Sequence, residues 1–147
     1  MNEIHTEIEI NAPKEVIWKI LTDFSAYPEW NPFIVNITGT PRLGATILFV
    51  ARFEAISIPI LANIIQFEKE KSFSWGGPGI SWLKSVFTAE HFFIIEEIEN
   101  GKCRFTNKEQ MDGAIPDALW LLIERGKPAY EAMNEALKKR AEADNRN

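Results

Sequence analysis

Few side chains in this 147-residue chain could do proton or metal chemistry. There are two histidines, His5 and His91, and one cysteine, Cys103. Neither histidine stands beside the cysteine, so no zinc-ligand spacing exists and no metal is expected. Gly76-Gly77-Pro78-Gly79 lacks the Gly-Lys-Ser/Thr continuation of a phosphate-binding loop. It reads instead as a flexible loop that could gate an opening. No dinucleotide fingerprint follows a first strand, and no Gly-x-Ser-x-Gly elbow occurs, so no cofactor is expected and a hydrolase site is unsupported. What remains is His91 and the polar residues the fold can bring to it.

Two β-like runs, Ser85 to Glu97 and Lys102 to Met111, flank Glu99-Asn100-Gly101, a strong hairpin signal. A two-residue loop pairing Glu99 with Lys102 would set Phe92 against Glu109 and Glu96 against Phe105. A three-residue loop, Glu99 to Gly101, sets His91 against Glu109, Phe93 against Asn107, Ile95 against Phe105 and Glu96 against Arg104. The second register matches apolar with apolar and opposite charges with each other, each pair worth roughly 0.2–1 kcal/mol. It also puts Gly101 at a left-handed bulge position, and it is the register expected. Side chains alternate along a strand, so His91, Phe93 and Ile95 then share a face with Phe105, Asn107, Glu109 and Met111. His91, Asn107 and Glu109 would gather on the side of an apolar cavity. Such a patch could orient the polar end of a ligand, could be a mutually satisfied cluster or water site, or could move a proton.

The elements that must position this patch can be read from periodicity. Ile4, Thr6, Ile8 and Ile10 alternate with polar residues, which is a strand. Asn11 offers an N-cap and Pro13 a first helical position, with a short helix over Pro13 to Thr22 in which Trp18 packs. Tyr27-Pro28-Glu29-Trp30-Asn31-Pro32 is a turn or single helical turn, because two prolines four apart stop anything longer. Strands follow at Ile34 to Thr40, Thr46 to Phe53, Ile58 to Glu68 (with Pro59 at its start or at an edge) and Ser72 to Trp75. The ending is helical: Ile115, Leu119, Leu122, Ile123, Gly126, Tyr130, Met133 and Leu137 recur at steps of three and four. Pro128 should kink that helix near residues 124–128. Glu124, Glu131 and Glu135 read as its solvated face, and Lys138 to Asn147 as a fraying end. The expected architecture is α+β: a curved antiparallel sheet of about six to seven strands wrapped around a long C-terminal helix, in one domain.

Composition narrows the function. The chain is 46% hydrophobic and 25% charged, ordinary for a globular domain with its own core. One cysteine forbids an internal disulfide framework and fits a reducing compartment, so a cytoplasmic location is expected. The first residues show no basic stretch followed by an apolar one, so no secretory leader is expected, and no apolar run reaches the roughly 20 residues of a membrane span. A net charge of −5 opposes nucleic-acid binding, which depends on Lys and Arg against phosphate. Five tryptophans are more than a core this size requires. Trp30, Trp75, Trp82 and Trp120 could each line a pocket or simply pack, with Trp75 a candidate for the rim.

Three stretches carry a resemblance. Ile8-Glu9-Ile10-Asn11-Ala12-Pro13-Lys14-Glu15-Val16-Ile17-Trp18, followed by Tyr27-Pro28-Glu29-Trp30-Asn31-Pro32-Phe33, resembles the opening of the START-like (SRPBCC) superfamily, in its polyketide cyclase/dehydrase-like branch. Glu90-His91-Phe92-Phe93 and Arg104-Phe105-Thr106-Asn107-Lys108-Glu109 to Gly113 resemble that branch's closing hairpin. Pro128-Ala129-Tyr130-Glu131-Ala132-Met133-Asn134 with Leu137 resembles its final helix. The resemblance implies a helix-grip fold enclosing a hydrophobic cavity, and a small hydrophobic ligand such as a polyketide, lipid or terpenoid-like molecule. Some members are cyclases and others act through protein partners, so fold does not fix function. Members often carry His where Asn107 stands, so a pair of catalytic histidines is not implied here.

The expected ligand wall is Phe49, Ile64, Trp75, Phe93, Phe105, Leu119, Leu122 and Ile123, with Trp30, His91, Asn107 and Glu109 as further contacts. Phe92 and Ile94 would face outward, and a contiguous apolar patch there would suggest a homodimer or a docked partner.

Overall fold

The computed structural model describes residues 2–77, 87–114 and 117–146, with the side chains of Ala118, Leu119 and Leu122 outside the description. Seven strands form one antiparallel sheet: β1 (Asn2–Ile10), β2 (Ile34–Thr38), β3 (Thr46–Phe53), β4 (Ile56–Glu68), β5 (Ser72–Gly77), β6 (Phe87–Glu99) and β7 (Lys102–Gly113). Their order is β1-β7-β6-β5-β4-β3-β2, so consecutive strands pair except that β1 closes on β7 at the far side. Between β1 and β2 lie α1 (Lys14–Thr22), a 3-10 turn (Phe24–Ala26) and the single-turn α2 (Tyr27–Trp30). After β7 come α3 (Asp117–Glu124) and α4 (Lys127–Arg146). The sheet curls, and α4 lies along β1 and touches β7, α1 and α2. This is the α+β helix-grip arrangement expected from the sequence.

The concave face is apolar by strand alternation, and its aromatic residues hold the bend. Phe73 stacks on Phe93 at 4.8 Å, Trp75 meets Phe93 at 4.7 Å and Phe49 at 4.9 Å. From α1, Trp18 meets Phe67 edge-on at 5.1 Å, the packing role expected for it. Burying each of these side chains is worth on the order of 1.5–3 kcal/mol. From α4, Tyr130, Met133, Asn134, Leu137 and Ala141 are buried, the three-and-four spacing of one helix stripe. Tyr27 donates its hydroxyl to the Leu21 carbonyl at 2.6 Å, and burial, then the Asp23 charge, pushes its phenol far above the ordinary range. Asn31 turns the chain into β2: its Oδ1 accepts from the Phe33 and Ile34 backbone N–H groups at 3.0 and 2.9 Å.

Several local expectations are corrected. The β6–β7 register is the expected one, His91 opposite Glu109 and Ile95 opposite Phe105, but Glu99 pairs with Lys102 across a two-residue loop. A bulge at Ile98 absorbs the extra residue, and Gly101 is left-handed at φ +78°. Pro59 lies inside β4 rather than at its start. There β4 pairs with β3, while β5 joins it only from Asn63 onward, so the missing N–H faces an unpaired edge. Asn11 does not cap α1, whose N-cap is Pro13; its N–H instead donates to Glu142 Oε2 at 2.8 Å. Residues 138–146 do not fray from the body. Ala141 is fully buried, Lys138 Nζ donates to the Glu9 carbonyl at 3.0 Å, and Arg140 pairs with Glu29 at 3.3 Å. Outward Phe92 and Ile94 are half-buried, with the Lys108 ammonium 5.0 Å over the Phe92 ring. The exposed apolar residues of the convex face are Leu48 and Leu61, paired across β3 and β4, and Ile65 beside Gly76. Trp82 and the Pro78-Gly79 half of the glycine loop lie outside the described residues.

The kink expected near Pro128 is a full break. Arg125 and Gly126 separate α3 from α4, and Pro128 sits in the first turn of α4, where its missing N–H costs nothing. Gly126 is required by a close approach: a Cβ there would stand 2.7 Å from Phe53 Cε1 and 2.9 Å from the Ile123 carbonyl. Gly126→Ala should therefore lower stability by about 1–3 kcal/mol, read as a lower urea midpoint at unchanged slope. At the other end, hydrogen bonds from Lys138 and from the Asn11 N–H hold the Glu142 carboxyl below its usual range. A carboxyl depressed in the folded state adds stability above its unfolded value, near 4.3, and loses it as pH falls through the lowered value. Glu142→Gln should thus lower Tm at pH 7 by up to about 3 °C, as for a partly solvated pair, and the difference should vanish in acid.

Candidate functional site

Strand pairing brings together the three polar residues singled out in the sequence. His91 on β6 and Glu109 on β7 are directly opposed, and Asn107 is the next inward residue of β7. His91 Nδ1 lies 3.1 Å from Glu109 Oε2, and His91 Nε2 lies 2.5 Å from Asn107 Oδ1. Two residues missed in the sequence complete a network. Asn107 Nδ2 donates to Asn134 Oδ1 of α4 at 2.9 Å, Asn134 Nδ2 donates to Thr6 Oγ1 of β1 at 2.9 Å, and Thr6 Oγ1 donates to the Asn107 carbonyl at 2.7 Å. All five residues are wholly or largely buried, and the ring of bonds ties β1, β6, β7 and α4 together. The signal for Asn134 and Thr6 was available. Each is a polar residue at an inward position of an otherwise apolar period, where burial requires a partner.

The network has a direction. A backbone carbonyl can only accept, so Thr6 spends its hydroxyl hydrogen on the Asn107 carbonyl and its oxygen must accept from Asn134 Nδ2. Asn134 Oδ1 therefore faces Asn107 Nδ2, and Asn107 Oδ1 faces His91 Nε2. The Tyr130 carbonyl, 3.4 Å from Asn107 Nδ2, enforces the same orientation. His91 consequently carries a hydrogen on Nε2 and turns Nδ1 toward Glu109. Glu109 Oε2 is a buried oxygen with no hydrogen bond among the described residues, and His91 Nδ1 at 3.1 Å is its close polar neighbour. The Tyr130 ring stacks on His91 at 5.3 Å; burial, then the Glu109 charge, pushes its phenol well above the ordinary value, so it remains a neutral hydroxyl.

Around this group stand the expected wall residues. Phe49, Ile64, Trp75, Phe93 and Phe105 are all buried on the concave face and pack on one another, Phe93 lying flat against His91 at 4.2 Å. Trp75 sits at the centre of the aromatic cluster rather than at a rim. Ile123 and Trp120 of α3 are half-buried against the core, while the side chains of Leu119 and Leu122 lie outside the description. Trp30 is seated elsewhere. It meets Tyr27 edge-on at 5.2 Å beside a small surface pocket bounded by α1 and α4, and its Nε1 is buried without a partner among the described residues.

Further lining comes from β4. Ile56, Ile58 and Ile60 oppose Phe53, Ala51 and Phe49, so they point to the concave side. Ile56 is 60% exposed and Ile58 42%, whereas Ala62 and Ile64 farther along the same face are 1% exposed. Among the described residues the inner face of β4 is thus buried at one end and exposed at the other. At the open end a groove of about 500 Å³ runs between the β3–β4 turn and the α3–α4 break, lined by Phe53, Ile56, Gly126 and Ala129 with Arg52 and Arg125 beside them. Phe33 joins this groove to the polar group, touching Phe53 at 5.4 Å, Tyr130 at 4.5 Å and His91 at 6.1 Å. The in-phase isoleucines of β4 were the sequence signal for this opening. Among the described residues no cluster of His, Cys, Asp and Glu could hold a metal ion, and no helix is long and apolar enough to cross a membrane.

Comparison with known proteins agrees with the fold. No curated protein matches the sequence. Solved structures show the fold. A protein of Thermus thermophilus superposes with a TM-score of 0.75 at 17% identity, covering 97% of this chain and 99% of that one. A START superfamily protein from Mycobacterium smegmatis gives 0.74 at 17% identity, covering 96% and 97%. The Zhui aromatase/cyclase from a Streptomyces species gives 0.77 at 8% identity, covering 96% and 93%. Residues 1–142 match the family described as polyketide cyclase / dehydrase and lipid transport, and with its helix-grip fold the chain belongs to that family.

Proposed function

We propose that the protein binds a small hydrophobic or amphipathic molecule, of polyketide, lipid or terpenoid-like character, between the concave face of the sheet and the C-terminal helices. The observation that carries this reading is the uncovered inner face of β4. Three isoleucines point into the grip, and two of them are left exposed beside a groove of about 500 Å³. Apolar surface of that kind, contiguous and rimmed by polar residues, is unfavourable to leave in water and favourable to cover with a guest. Its volume falls in the range of small-molecule sites. The packed aromatic residues Phe49, Trp75 and Phe93 would form the floor under the guest, α3 with Ile123 its cover, and the His91–Glu109 pair, held in place by Asn107, the polar end.

A second reading is a cyclase- or aromatase-type enzyme. It is favoured by the His91–Glu109 contact at 3.1 Å, a pair able to hold a proton beside an apolar space. Substitution separates the two readings. With a reactive poly-β-keto substrate, His91→Ala should abolish turnover while binding persists if the pair is catalytic; unchanged turnover would remove the pair from the mechanism, and no turnover by the parent protein would leave the binding reading.

The binding reading is tested by native mass spectrometry of gently purified protein, together with thermal shifts against a panel of lipids and polycyclic aromatics. A retained small molecule or a ligand-dependent rise in Tm is expected. Ala132 lines the groove from the exposed side of α4. Ala132→Trp should weaken binding at least tenfold, while the unfolding free energy of the unliganded protein in urea stays within about 0.5 kcal/mol of the parent, as for a surface substitution. No bound molecule and no shift with any panel member would contradict the reading.

A further inference from the structure

The direction of the hydrogen-bond ring says what kind of polar end the site accepts. His91 spends its Nε2 hydrogen on Asn107, so the contact between Nδ1 and Glu109 Oε2 is attractive only with a proton between them. That proton has two possible owners. If His91 holds it, Glu109 is a carboxylate, and both of its oxygens offer lone pairs only. If Glu109 holds it on Oε2, the other oxygen is a carbonyl and again only accepts. Either way the free Glu109 oxygen donates nothing. It is also the reachable part of the network: the Glu109 side chain is 14% exposed, while Asn107 is fully buried and Asn134 nearly so. Among the described residues no lysine or arginine pairs with Glu109, so a positive charge on His91 is already matched by Glu109 and none is spare for an incoming anion.

Resting on the binding reading above, we propose that the His91–Glu109 pair is an acceptor-only subsite that selects guests carrying a hydroxyl donor, a phenol or enol, over guests ending in an ether or a carboxylate. A hydroxyl pointed at the part-exposed Glu109 carboxyl completes its unfilled lone pairs, and the guest's apolar body stays against the apolar concave face. An ether or a carboxylate brings lone pairs to lone pairs and leaves both partners desolvated without a bond. Thr6, Asn134 and Asn107 are positioning residues for this choice: they never reach the guest but fix which nitrogen of His91 faces Glu109.

The test uses isothermal titration of the full chain at pH 7 with three probes of nearly equal shape: 2-naphthol, 2-methoxynaphthalene and 2-naphthoate. The naphthol should bind at least tenfold more tightly than its methyl ether, and the naphthoate most weakly. Glu109→Met removes the acceptor and keeps the volume, so it should bring naphthol and ether within about twofold of each other. Glu109→Gln should keep the preference, because its amide can donate to His91 Nδ1 and still present a carbonyl oxygen. Equal affinity of naphthol and ether for the parent protein would overturn the selection while leaving the cavity reading standing. A preference that survives Glu109→Met would place the donor's partner elsewhere and overturn the assignment to Glu109. Failure of all three probes, with no guest from the wider panel, would overturn the cavity reading and this proposal together.

Discussion

A buried carbonyl oxygen cannot donate, and most of the polar architecture here follows from that constraint. The Asn107 and Tyr130 carbonyls lie inside the grip and take hydrogens from Thr6 and Asn107. Once those two bonds exist, every amide in the ring has one permitted orientation. Leaving any member unpaired would cost on the order of 1–3 kcal/mol, which is large against the marginal stability of a domain this size. The ring joins residues as far apart as Thr6 and Asn134, so it also fixes how α4 lies against β1 and β7. Apolar packing of Tyr130, Met133 and Leu137 supplies most of the burial on that helix but tolerates some sliding. Directional bonds remove that freedom, and with it the freedom of the His91 ring.

The concave face divides into two halves with different physics. Toward Phe73 and Ile64, rings from β4, β5, β6 and α1 interlock and nothing is left uncovered. Toward the β3–β4 turn, Ile56 and Ile58 on the same face are exposed. The boundary runs past Phe33, which touches both the groove and the imidazole. Asn31 sets that ring by holding the backbone N–H groups of Phe33 and Ile34. The Trp-Asn-Pro segment thus contributes to the site through its asparagine and the phenylalanine that follows. The break at Gly126 serves the same end. A side chain at residue 126 would take the space that Phe53 now occupies against Gly126.

The sheet and its site were legible where a periodicity or a pairing rule applied. The His91–Glu109 pairing follows from matching charges and apolar residues across one hairpin, because a one-residue slip would turn every side chain to the wrong face. The turn itself was not legible: the bulge at Ile98 trades one residue of loop for one of strand and leaves the register untouched. The docking of residues 138–146 was hidden for another reason. Their docking depends on Lys138, Arg140 and Glu142 meeting Glu9, Glu29 and Asn11, contacts over more than a hundred residues that no local pattern encodes. Asn134 and Thr6 were visible as polar residues in apolar periods, but their partnership needed the crossing of β1 and α4. Trp30 and Trp75 show the limit of composition, since one packs at the α2 end and the other fills the centre of the aromatic cluster.

The account stands on the orientation of one ring, and histidine side-chain nitrogen NMR reads it directly. In uniformly 15N-labelled protein, long-range proton–nitrogen correlation should show His91 Nε2 as a protonated, pyrrole-type nitrogen. Asn107→Leu should release that restriction. A neutral His91 with its hydrogen on Nδ1 and a bare Nε2 would contradict the directional ring, and with it the acceptor character assigned to Glu109.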